Sequence, residues 1–124
     1  MDDFNEAVAL ILAKLYEAFP QRQSFEMANL VKGVDDNKRL NYFDTFLFLE
    51  REGFIRYEGR IATDKFTNVT LTSKGLAVLN ETPDALKEKI PLGTRLMSVA
   101  RDGSKEVIRA VVEQIIKGAI GSLS

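Results

Sequence analysis

The sequence predicts an α+β fold, mostly helical, with one two-stranded hairpin and additional helices at the C-terminal end. Two observations carry this. Apolar residues recur at helical spacing through most of the chain, and the period changes to strand-like alternation only between residues 54 and 71. Turn and stop residues punctuate the segments: Pro20, Gly33, Gly53, Gly59, Pro91 and Gly103. With 124 residues, the chain is long enough to bury a core without a metal or disulfide.

The elements follow in order. Phe4, Val8, Ile11, Leu12, Leu15 and Phe19 share one helical face, so residues 4–19 read as a first helix, stopped by Pro20. Asp2 and Asp3 favour the positive end of its dipole. Ser24 is placed to cap a short second helix over residues 25–32, ended by Gly33. Asp35 or Asp36 caps a third helix that runs to Glu52, with Gly53 after it. Its helical wheel puts Arg39, Tyr42, Phe43, Phe46 and Leu49 inward, with Leu40 and Leu47 flanking that side. Asn37, Asn41, Asp44, Thr45, Phe48 and Glu52 face outward, with Lys38 at the border. Phe48 is expected to be covered by residues 84–100, or to meet another protein.

Residues 54–57 read as a strand, 58–65 as a loop or hairpin tip, and 66–71 as a half-buried strand. Strict alternation there sets Phe66, Asn68 and Thr70 against Thr67, Val69 and Leu71. Thr72 or Ser73 caps a fourth helix over residues 74–80, and residues 84–89 form a helical turn before Pro91. Residues 92–100 are helical, and Asp102-Gly103-Ser104 restarts a last helix over 105–123. That helix is apolar nearly all round, apart from the file Arg109, Glu113 and Lys117. Such a helix must be covered on most sides. It is expected to pack partly on its own domain and partly on a second subunit, through Ile108, Val111, Val112, Ile115, Ile116 and Ile120.

Composition removes several classes of function. There is no cysteine and no histidine, so disulfides, Cys/His zinc sites, thiol nucleophiles and histidine general bases are excluded. No phosphate-binding glycine loop occurs, and Asp35 and Asp36 are adjacent, so they cannot face each other across a substrate. We expect neither an enzyme nor a cofactor. Net charge is −1. Residues 1–20 carry one lysine against four acidic residues, a net of −3. Residues 21–65 balance eight basic against eight acidic residues, and residues 84–124 carry seven against five, a net of +2. Any positive surface must therefore come from folding. The acidic start Met1-Asp2-Asp3 is unlike a signal peptide, and no stretch is apolar enough to span a bilayer. The expected location is the cytoplasm.

Two motifs give a family resemblance. Leu49-Glu50-Arg51-Glu52-Gly53-Phe54-Ile55 resembles the exit of the third helix in MarR- and PadR-like transcriptional regulators. Val69-Thr70-Leu71-Thr72-Ser73-Lys74-Gly75 resembles the exit of their wing. The resemblance implies a winged helix-turn-helix domain over residues 1–82 and an oligomerising helical extension over 83–124, packed on the same domain. It implies double-stranded DNA as partner, read by Asn37, Lys38, Asn41 and Thr45, with Arg60 and Lys65 on the backbone, and a homodimer through terminal helices. In such wings an arginine follows an Asp-x pair at the tip; here Asp64-Lys65 leads to Phe66. The alternative is a winged-helix protein-interaction module without DNA binding, which the even charge balance and Phe48 favour.

Overall fold

A computed structural model describes residues 2–31, 35–82 and 90–121, with backbone alone for residues 2 and 119–121. Its order is α1 (Asp2–Ala18), β1 (Gln23–Glu26), α2 (Met27–Leu30), α3 (Asp36–Arg51), β2 (Ile55–Arg56), β3 (Gly59–Ile61), β4 (Lys65–Leu71), α4 (Ser73–Leu79), α5 (Leu92–Asp102) and α6 (Lys105–Gly121). The chain is therefore α+β, with a small antiparallel sheet of four strands.

The central helix is α1. Its apolar face, Val8, Ile11, Leu12 and Leu15, is fully buried, and α3, α5 and α6 all pack against it. A single hydrophobic core runs from these residues through Phe46, Phe54 and Phe66 to Leu96, Val112 and Ile115. The C-terminal helices thus share the core of the preceding segment.

The helix expected over residues 25–32 does not form over 25–31, and residues 32 and 33 lie outside the described residues. Phe25 instead lies in β1, which pairs antiparallel with β4, and α2 is a single turn that starts two residues later. Ser24 caps nothing; Glu26 occupies the N-cap without a side-chain bond. The reason is long-range. In the strand Phe25 sits opposite Phe66 and its ring lies 5.1 Å from that of Phe46, which buries more apolar surface than a free-standing turn offers.

The third helix begins and ends on the expected signals. Asp35 accepts a hydrogen bond from the Lys38 N–H at 3.1 Å, and Gly53 follows at φ +83°, a conformation that favours glycine. The Lys74 ammonium donates to the Glu52 carbonyl at 2.8 Å, tying the end of α3 to α4. Thr72 caps α4 by accepting from the Gly75 N–H at 3.0 Å. A methyl group at Gly75 would overlap the Phe54 carbonyl, so α4 and the start of β2 can approach only without a side chain there.

The sheet departs from the expected pattern in two ways. Part of the segment expected as a loop, residues 58–65, is strand: β3 pairs with β4 through Gly59–Thr67, Arg60–Phe66 and Ile61–Lys65. Asp64 N–H closes the turn on the Ile61 carbonyl at 2.9 Å. Both β2 and β3 lie along one side of β4, with β1 on the other. Strict alternation also fails. Phe66, Val69 and Leu71 are all buried, because a register shift between β1 and β4 coincides with Asn68 at φ +53°. The extra residue reverses the side-chain phase, as a β-bulge does.

Residues 84–89, expected as a helical turn, lie outside the described residues. The following helix, α5, ends at Gly103, whose N–H bonds to the Val99 carbonyl at 2.7 Å. In α6 one face, Ile108, Val111, Val112 and Ile115, is buried against the rest of the chain, while Val107 is 42% exposed. Ile116 is half-buried; the side chains of Ile120 and Leu123 lie outside the described set. Among the described residues no helix is long and apolar enough to cross a membrane.

Candidate nucleic-acid interface

The surface of interest is the exposed side of α3 together with the β3–β4 hairpin. Helix α3 is rotated from its expected setting. Leu40, placed as a flank of the inward side, is 48% exposed, whereas Thr45, placed outward, is 2% exposed. The physical reason lies in Thr45 itself. Its hydroxyl donates to the Asn41 carbonyl at 2.7 Å, one turn back along the helix, so it can be buried with its polar group satisfied. Asn41 turns the same way: its amide donates to the Asp3 carbonyl on α1 at 2.9 Å. Phe48 follows them and meets Phe4 edge-on, with ring centroids 5.2 Å apart. The cover over Phe48 is therefore α1.

The six residues singled out for nucleic acid thus fall into two groups. Asn37, Lys38 and Arg60 are exposed, and Lys65 is half-buried at the hairpin. Thr45 is buried with its hydroxyl bonded within the helix, and Asn41 is half-buried with its amide held by the Asp3 carbonyl, so neither is free on the outer face. The exposed face of α3 instead presents Asn37, Leu40, Asp44 and Arg51.

Two details fix the geometry of the cations. The Arg60 guanidinium lies 5.5 Å from the centre of the Phe43 ring, and that ring stacks on Phe66 at 5.5 Å. Attraction between cation and ring face holds Arg60 between the hairpin and α3. This platform was not legible in the sequence, because Phe43 and Arg60 are brought together only by strand pairing. Lys65 makes an ion pair with Glu26 of β1 at 3.6 Å. Such a partly exposed pair is weak and leaves the ammonium available to a stronger anion.

At the start of α3, Lys38 shares a shallow hollow of about 200 Å³ with Asp3, Glu6, Asn41 and Tyr42. The carboxylates temper its positive field. They also act on Tyr42: burial first, then Glu6 and Asp3, raise its phenol above the ordinary 10.0. The folded state therefore holds this proton more tightly than the unfolded state. Its contribution to stability is fully present below pH 10.0 and is lost as the pH rises through that value and through the raised one. Tyr42→Phe is expected to lessen the alkaline loss of stability, read from urea midpoints on either side of pH 10.0. An identical alkaline loss in both proteins would remove Tyr42 as a contributor.

Arg39 is half-buried, and its Nε is buried without a hydrogen-bond partner among the described residues. No cluster of three or more acidic residues is arranged to hold a metal ion among the described residues. Compared with known proteins, the chain matches no family model, no curated protein and no solved structure.

Proposed function

We propose that this chain is a winged-helix protein that binds double-stranded DNA mainly through its phosphates, as a dimeric regulator. The order α1-β1-α2-α3 followed by β2, β3 and β4, with β4 between β1 and the other two strands, supports the winged-helix reading. In that reading α3 is the helix that enters the major groove and the β3–β4 hairpin is the wing. The observation that carries the DNA reading is the Arg60–Phe43 platform between the hairpin and α3, on a helix whose first turns also expose Asn37 and Lys38. The inward turn of Asn41 and Thr45 removes two of the four side chains that would read base edges. Backbone contact then dominates over base readout, and sequence preference is modest.

The test is fluorescence anisotropy of a labelled mixed-sequence duplex at two salt concentrations. Binding is expected in the ~10⁻⁴–10⁻⁶ M range at physiological salt and tighter at low salt. Lys38→Ala and Arg60→Ala should each weaken it and reduce its dependence on salt. Absence of binding at low salt would defeat the DNA reading.

One observation favours the second reading, a protein-docking module. Leu40 is exposed in the middle of the outward face of α3, between Asn37 and Asp44. A large aliphatic residue suits a protein partner better than a phosphate-lined groove.

The dimer rests on α6. Val107 and Ala110 are exposed on its outer side, with Glu106 near one end and Lys117 near the other. Antiparallel pairing about a two-fold axis would set Glu106 of one copy against Lys117 of the other.

A further inference from the structure

The sheet has a second concave surface, away from α3. A groove of about 850 Å³ runs from Phe19 and Pro20, past β2 and the end of β4, to α4. Small-molecule sites commonly measure ~300–1,000 Å³. Two arginines, Arg22 and Arg56, line this groove and no acidic residue does among the described residues, in a chain whose net charge is −1. Phe19, Leu71 and Leu76 supply an apolar wall, and Thr70 and Ser73 supply hydroxyls.

The two guanidiniums are differently held. Arg22 donates to Glu58 at 3.0 Å, and Glu58 also accepts from the Asn68 amide at 3.2 Å. Glu58 sits in a smaller adjoining hollow of about 270 Å³, which Arg22, Arg56 and Thr70 also line. It braces Arg22 from the side and leaves other donors of its fork uncommitted. Arg56 is exposed, and no hydrogen bond or ion pair engages it among the described residues.

We propose that this groove binds a small phosphate monoester carried on an aromatic or apolar body. Arg22 and Arg56 take the phosphate, Thr70 and Ser73 add hydroxyl donors, and the body lies against Phe19, Leu71 and Leu76. Planar guanidiniums match phosphate oxygens in pairs, and three phosphate oxygens use more donors than the two of a carboxylate. The site does not depend on the DNA reading, since none of Asn37, Lys38, Arg60 or Lys65 lines it.

The test is titration of phenyl phosphate into the ¹⁵N-labelled full chain, followed by amide chemical shifts. Saturable shifts at residues 22, 56, 70 and 73 are expected, with phenyl phosphate binding about tenfold tighter than inorganic phosphate or benzoate. Arg56→Ala, at an exposed position, should weaken binding by about tenfold while leaving the remaining spectrum unchanged. Arg22→Ala should do the same. Lys38→Ala should leave phenyl phosphate binding intact, which separates this site from the DNA surface. The proposal is overturned by an affinity weaker than about 1 mM, by shifts confined to other residues, or by equal binding of benzoate.

Discussion

Phe66→Ala is expected to lower stability by about 3–5 kcal/mol, the cost of emptying a fully packed aromatic site. Phe66 is 0% exposed, and three rings surround it: Phe46 at 4.6 Å, Tyr57 at 4.8 Å and Phe43 at 5.5 Å. These come from α3, from the segment after β2, and from α3 again, so Phe66 joins the helical layer to the sheet. Its strand partners extend the joint, with Phe25 opposite it on β1 and Arg60 on β3. Loss of the ring also removes the stack under Phe43, and with it the support for Arg60. Urea unfolding followed by circular dichroism measures the loss. A change below about 1 kcal/mol would mean that the cavity collapses freely and that Phe66 is not the joint described. The same burial answers a point of sequence. The family-like pattern puts an arginine at this position, but Phe66→Arg would bury an unpaired charge rather than extend the wing.

The parts of the fold that were legible in the sequence are those set by local chemistry. Of the caps the sequence offers, Asp35 rather than Asp36 and Thr72 rather than Ser73 serve, and Pro20 and Gly53 mark helix ends as read. These signals act within a few residues and need no partner from elsewhere. The parts that were not legible depend on distant residues. Ser24 offers a helix cap, yet pairing of Phe25 with Phe66 outweighs it. Alternation in β4 predicts a phase that the bulge at Asn68 reverses, and the bulge shows only in the register with β1.

The candidate interface repeats the lesson at smaller scale. A helical wheel assigns sides by angle alone, so it put Leu40 on the flank of the inward side and Thr45 on the outward side. The fold exposes Leu40 and buries Thr45, because Thr45 satisfies its hydroxyl within the helix. Of the chosen cations, Lys38 and Arg60 remain on the surface, as their long charged side chains require. The partner of Arg60, Phe43, lies on the side of α3 that the wheel assigns to the core.

Ile115→Asp is expected to unfold the chain rather than merely separate subunits. Ile115 is 0% exposed in the single chain, within the core that α6 shares with α1 and α4. A carboxylate there would lose its water within an apolar core, at a cost of several kcal/mol, while the apolar contacts of isoleucine are lost as well. Against a total stability of roughly 5–15 kcal/mol for a domain, this is enough to depopulate the native state. Val107→Asp is the informative companion. Val107 is already exposed, so the substitution adds a charge to an accessible surface and should change stability by less than about 0.5 kcal/mol. If α6 joins two copies, Val107→Asp should halve the mass measured by light scattering while the circular dichroism spectrum stays native. If the unaltered protein is already monomeric, the dimer proposal fails, and the exposed side of α6 is then a solvated surface. A native, stable Ile115→Asp protein would instead contradict the packing of α6 on its own chain. The two substitutions therefore separate intramolecular burial from subunit contact on one helix, with one readout for each.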